Sequence, residues 1–401
     1  MVTRDRYTTA QLEQIRKTLQ SSLGDAGAAQ AISNLEQRFT PSETSAQQTT
    51  DAKKKSGPAG PKPVNIAEVI ASSSVEKMLE ALAVVKEEHE IRPLVTALIQ
   101  HADTKAFHLV DALSHVTKNL ELVETLVQAV VTKKGINPLI DALKYAAISS
   151  SAVTMLANSI GEQGTVTHVL RAIASAPPNQ PDAEIVWAME VIGKGGFEQI
   201  NDAVKLMDIK SPGIVVLTTG LVNRPGVAIE HLIRPLAVIK DNPQALTVLL
   251  TRLAKLVDVP QMLSLLEKHV PDNCEGAEYV AARLINRCLA SATRIKEIAM
   301  ACRCMRTDSM TARILAYGVV KQGNEEQMMR AYERLPANST AKHMAGIGVL
   351  NKVNKFKALS LMGKESMSLG KYTGEVQAAM RAAQERYQFI MANIFEEPVT
   401  N

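Results

Sequence analysis

A four-residue pattern, apolar–any–Ala–apolar, returns along this chain at a nearly constant interval. It reads Leu79-Glu-Ala81-Leu82, Val110-Asp-Ala112-Leu113, Ile140-Asp-Ala142-Leu143 and Leu170-Arg-Ala172-Ile173, in steps of 31, 30 and 30 residues. A looser copy, Asn201-Asp-Ala203-Val204, follows after 31 more. The pattern then decays through Arg234-Pro235-Leu236, Met329-Arg-Ala331-Tyr332 and Phe356-Lys-Ala358-Leu359. Gly135, Gly164, Gly196, Gly226 and Gly323 keep the same beat, each six to eight residues ahead of a motif residue. Such recurrence marks one supersecondary unit repeated, because a single copy cannot bury its own apolar side. Two helices of about 12 residues and two short turns consume about 30 residues. The spacing predicts a first helix ending at a Gly in the left-handed C′ conformation, a tight turn, and a second helix. The Ala of that second helix lets a neighbouring backbone come close.

Composition agrees with helices and excludes other classes. Apolar residues are 46% of the 401, too many for a disordered chain. One Trp, seven Tyr and six Phe, beside sixteen Met, are too few aromatics for an ordinary all-β core. Gly and Pro interrupt the helical pattern every 12–15 residues, which excludes one long coiled coil. Ile214-Val-Val-Leu-Thr-Thr alone has β character, and one strand makes no sheet.

Four segments follow. In residues 1–39, Leu12, Ile15, Leu19 and Leu23 recur at spacings of three and four and form one helix face, an arm suited to docking on a partner. Residues 40–65, rich in Pro, Ser, Thr, Gly and Lys, read as a disordered linker. Residues 66–371 are the repeat body, and residues 372–401 a capping helix and tail. The fold expected is all-α: an α-solenoid of antiparallel helix pairs with a period of about 30 residues.

The stretch 75–360 resembles the α-solenoid superfamily of HEAT-like and TPR-like helical-pair repeats. Its period is shorter than the TPR unit and it lacks the TPR signature Trp, Tyr and Pro positions, so short HEAT-like repeats are nearer. Ala316 to Pro336 has more TPR-like character. The resemblance implies a surface for binding other proteins.

Candidate chemistry is sparse. His108, Asp111 and His115 share a helix face, yet no fourth metal ligand or supporting shell accompanies them, so no metal is expected. Cys274, Cys288, Cys302 and Cys304 have no C-x-x-C spacing and read as packed residues in a reducing compartment; Arg303 and Arg306 are placed to lower a nearby thiol's pKa. Gly193-Lys-Gly195-Gly196 lacks the phosphate-loop pattern and reads as a helix terminus. No catalytic constellation or cofactor motif is present, which points away from an enzyme. The polar start and the absence of long apolar runs point to the cytoplasm and to no membrane span.

Charge is uneven. The net +4 combines +3 over residues 1–65, −4 over residues 66–270, +7 over residues 271–371 and −2 over residues 372–401. The basic candidates are Arg283, Arg287, Arg294, Lys296, Arg303, Arg306, Arg313, Arg330 and Arg334, with Lys321, Lys352, Lys355 and Lys357 nearby. Aligned on one surface they would bind an acidic protein segment. RNA is the alternative, discounted by the few aromatics available for base stacking. A lyase on a HEAT-like fold is a third reading without a named nucleophile. The expectation is a non-enzymatic scaffold or adaptor that binds a protein partner, with the N-terminal helix as a second interaction element.

Overall fold

A computed structural model describes residues 65–72, 74–271, 273–289, 295–352, 357, 360, 362–363 and 369–395. The arm residues Leu12, Ile15, Leu19 and Leu23, the linker, Arg294 and Lys355 lie outside the described residues. Every regular element among the described residues is helical. The chain divides into two compact units, Met1–Lys194 and Gly195–Asn401.

In the first unit the helices are α1 (Ile66–Ala71), α2 (Val75–Val84), α3 (Glu88–Gln100), α4 (Ala106–His115), α5 (Leu120–Lys133), α6 (Ile136–Ala142), α7 (Ser150–Gln163), α8 (Val166–Ser175) and α9 (Pro181–Lys194). Each helix from α2 packs on the next in the chain, and also on the one after that. Two rows result, a long-helix row α3–α5–α7–α9 and a short-helix row α2–α4–α6–α8.

In the second unit they are α10 (Phe197–Leu206), α11 (Pro212–Val222), α12 (Ile229–Ile233), α13 (Leu236–Ile239), α14 (Pro243–Leu256), α15 (Val259–Lys268), α16 (Glu275–Leu289), α17 (Ile295–Ala301), α18 (Met310–Gln322), α19 (Glu325–Arg334), α20 (Thr340–Lys352) and α21 (Thr373–Ile390). The long-helix row is α11–α14–α16–α18–α20. In the short-helix row α10 meets α12 and α13, and α15–α17–α19 pack in turn.

Most long-row helices start alike. Asn119, Ser149, Ser211, Asn242 and Ser309 sit at their N-caps, and each side chain accepts a first-turn amide at 3.0–3.2 Å. A free amide at a helix start costs free energy, and a capping oxygen recovers about 1 kcal/mol. Pro212 and Pro243 follow at the first helical position, where the missing N–H costs nothing. Cys274 takes the place of Ser before α16, with the amides of Gly276 and Ala277 directed at its sulfur. The apolar stripes then face inward, as in Ala245, Leu246, Leu249, Leu250, Leu253 and Ala254 of α14, all fully buried. Each buried Leu contributes about 1.5–3 kcal/mol.

Short-row helices use another device. Position N3 is His108, His168, Gln199, His231, Gln261 or Gln327, and its side chain accepts the N-cap amide at 2.8–3.2 Å. The motif alanines fall on this row, with Ala112, Ala142, Ala172, Ala203 and Ala331 fully buried and Ala81 nearly so. Close crossings in the long row fall on glycine instead. A Cβ on Gly318 of α18 would stand 2.8 Å from Ile285 of α16, and one on Gly276 of α16 would stand 2.6 Å from Leu250 of α14.

The repeated glycines act differently from expectation. Of these five, only Gly135 (φ 121°) and Gly226 (φ 75°) have positive φ. Gly164, Gly196 and Gly323 have φ of −93°, −94° and −66°, so none is a left-handed C′ residue. Gly164 and Gly323 are selected by space: an added Cβ would lie 2.7 Å from the Ile160 carbonyl oxygen and 2.5 Å from that of Val319. Gly196 is the N-cap of α10. Ile214-Val-Val-Leu-Thr-Thr is helical within α11, where Ser211 and Pro212 start the helix and nearly every side is buried.

Candidate partner-binding faces

The basic side chains predicted to form one stripe lie on both rows. Arg283 and Arg287 are on α16 and Arg313 on α18, in the long row; Lys296 is on α17 and Arg330 and Arg334 on α19, in the short row. Arg303 lies in the 3-10 turn Cys302–Cys304 and exposed Arg306 in the loop beyond. Most have partners within the chain. Arg303 pairs with Glu267 at 2.9 Å, Arg313 with Asp308 at 2.9 Å, and Arg330 with Glu326 one turn before it. Arg287 donates to the Val257 carbonyl at 2.7 Å, and Arg334 to that of Ala299 at 3.3 Å.

These carbonyl contacts belong to a recurring device. A cation near the end of one long-row helix caps the C-terminal carbonyls of the helix before it. Lys194 reaches the Gly164 oxygen at 3.1 Å, Arg287 that of Val257, and Lys352 that of Gly323 at 2.6 Å. The exposed carbonyls carry the negative end of the helix dipole, so a cation satisfies both charge and hydrogen bonding.

Asp308 joins successive long-row helices. It accepts from Arg313 and, at 3.3 Å, from the amide of Ala341 in α20. Partial burial would raise its pKa; hydrogen bonds from Arg313, Thr340 and Ala341 overcome this and hold the carboxyl down at about 2. Because the folded value is depressed, its stabilisation is present above the unfolded value near 4 and is lost as pH falls towards 2. Asp308→Asn is expected to cost about 1 kcal/mol at neutral pH after allowance for solvent screening. Urea unfolding of both proteins at pH 7 and pH 2.5 checks it: the gap narrows in acid, and a gap of constant size contradicts the assignment.

The Cys274, Cys302 and Cys304 thiols are not activated. Burial pushes Cys302 up to about 12, and burial also raises Cys274 and Cys304, outweighing Arg303 and Arg306 beside Cys304. His108 spends its Nδ1 on the Lys105 amide. No group of three or more His, Cys, Asp or Glu among the described residues is placed to hold a metal ion. No helix among them is long and apolar enough to cross a membrane.

Two surfaces of the long rows stand out. In the first unit an open cleft of about 590 Å³ lies on α3, α5 and α7, with Ile99, Ala129 and Met155 as its apolar floor and Glu124 and Lys133 among its walls. In the second unit the corresponding row is crossed by α21, which packs on α16, α18 and α20. Val376, Ala379, Ala383 and Ile390 form its buried stripe. Arg386 donates to Glu278 at 2.6 Å and Glu275 at 2.7 Å, and Tyr279 donates to Glu275 at 2.7 Å. Tyr387 meets Tyr317 at 6.0 Å between ring centroids, and Lys321 donates to the Tyr317 hydroxyl at 3.0 Å. Burial raises Glu278 despite Arg386, whereas in Glu275 the Arg386 and Tyr279 bonds overcome burial and lower it.

A lone final helix with a polar face read from sequence as an end cap. That it lies across three earlier helices was missed. The local signal was the density of Tyr, Phe and Arg after residue 371, in a chain otherwise poor in aromatics. The class defined by these features is an all-α protein whose helices pack in neighbouring pairs. No family model matches the chain, and no curated protein matches it.

Proposed function

We propose that this protein is a non-enzymatic scaffold or adaptor: an α-solenoid of antiparallel helix pairs, about 30 residues to the pair, that binds a partner protein on its long-helix rows. The observation that carries the reading is α21, an amphipathic helix of this same chain seated across α16, α18 and α20. A surface that takes one helix in this way has the shape and chemistry for protein recognition. The period is supported by the short-row starts Val75, Ala106, Ile136 and Val166, and Phe197, Ile229 and Val259. It is further supported by side-chain hydrogen bonds between neighbouring pairs, at separations from 25 to 36 residues. The N-terminal arm with Leu12, Ile15, Leu19 and Leu23 is a second interaction element in this reading, and a cytoplasmic setting suits free thiols. Pairing of Arg303, Arg313 and Arg330 with acids weakens the attraction for RNA, so the protein partner is preferred.

Crosslinking and mass spectrometry on the full chain purified from its own cells test this. A stoichiometric protein partner linked to long-row residues such as Lys133 or Lys321 is expected, in material with the ultraviolet absorbance of protein alone. A chain starting at Pro61 is expected to keep those partners and lose those of the arm. Co-purifying nucleic acid, or turnover of a bound small molecule, overturns the reading.

A further inference from the structure

The junction between α21 and the long row differs in composition from the rest of the protein. The repeat cores are mostly Ala, Leu, Val, Ile and Met; among the described residues, Trp187 and Tyr332 are the buried aromatics away from this junction. Here Tyr279 and Tyr317 meet Arg386 and Tyr387, His343 stacks on Tyr372 at 4.2 Å, and Arg283 lies 5.2 Å over the Phe395 ring. Tyrosine, phenylalanine and arginine are the residues enriched where one protein surface recognises another. The side chains of Glu275 and Glu278 are 51% and 16% exposed, and both turn to the one guanidinium. A carboxylate as covered as that of Glu278 is costly without a cation, so the face selects an arginine-bearing ligand.

We infer that the face formed by α16, α18 and α20 is a helix-docking site with α21 as its resident ligand. The partner that fits it is an amphipathic helix of the same pattern, with small or aliphatic residues at i, i+3, i+7 and i+14 and an arginine at i+10. That helix takes the place of α21, so partner binding frees the C-terminal segment. The inference rests on the protein-binding reading above and adds to it the site and the partner's chemistry.

The probe is a fluorescein-labelled peptide of residues 372–395, titrated against the full-length chain by fluorescence anisotropy. Arg386→Glu in the chain weakens the resident helix and leaves the face intact. The peptide is expected to bind this variant at least tenfold more tightly than the wild type. A peptide carrying the same R386E change is expected not to bind. A peptide that ignores the variant, or binds both chains equally, overturns the inference. Hydrogen exchange on the unaltered protein gives a second reading that does not depend on the variant's folding. Amides of α21 are expected to exchange at least tenfold faster than those of α16 and α18; exchange of all three helices in step overturns the inference. If the peptide fails while the chain still holds a protein partner, the docking face falls and the protein-binding reading stands.

Discussion

Substituting Leu for Ala142 is expected to lower the unfolding free energy by about 1–3 kcal/mol, through overpacking. Ala142 is fully buried at the end of α6, a short-row helix that packs on α4 and α8 in its own row and on α5 and α7 beside it. Three added carbons have no free volume there, and the interior is packed as densely as an organic crystal. Either α6 moves off its neighbours or the side chains around it leave their preferred rotamers. Thermal melting of the full chain, followed by circular dichroism, checks the outcome. An unchanged midpoint would remove the close approach that the recurring Ala is held to mark.

The second large effect has the opposite sign. Asn201 occupies the first position of the repeated motif, where earlier copies have Leu79, Val110, Ile140 and Leu170. It is 2% exposed, and neither its Oδ1 nor its Nδ2 has a hydrogen-bond partner within the protein. Burying unpaired polar atoms costs about 1–3 kcal/mol, and Leu matches Asn in side-chain heavy-atom count and branching, its bulkier methyl groups taking back part of the gain. Asn201→Leu is therefore expected to stabilise the protein by about 1–2 kcal/mol and to raise the melting temperature by about 2–4 °C. A lower melting temperature would show that the amide has a role which the repeat pattern does not explain.

The two substitutions test what was legible in the sequence. Leu82, Leu113, Leu143 and their alanine companions gave away the short row because burial and small size are properties of single positions. The row's other marker, His or Gln at N3, was equally visible at His168, Gln199, His231 and Gln261 and was not used. Gly164 and Gly323 end helices as the spacing predicts but for another reason, an added Cβ there meeting a backbone carbonyl, whereas Gly135 and Gly196 stand at helix starts. The β-like run in α11 shows burial overriding local preference.

The basic residues were the least legible. A cation's partner is often a backbone carbonyl, and carbonyls are the same at every position. Nothing in the letters announces that Arg287 will end on Val257, 30 residues earlier, or Lys352 on Gly323, 29 earlier. Acid partners are easier to name, yet Arg303 finds Glu267 only after the intervening helices are placed. The path of α21 was hidden for the same reason, since its arginine meets acids more than a hundred residues back.

That separation also sets a timetable. The hydrogen bonds that join neighbouring helix pairs close within 36 residues at most, so each pair is complete soon after it leaves the ribosome. Arg386 is 111 residues behind Glu275 and 108 behind Glu278. At about 5–20 residues synthesised per second, Glu275, Glu278 and Tyr279 wait about 5–20 s for their cover. The face formed by α16, α18 and α20 is complete only when α20 ends at Lys352, 34 residues before Arg386, so for about 2–7 s the nascent chain presents it whole and uncovered to other newly made helices.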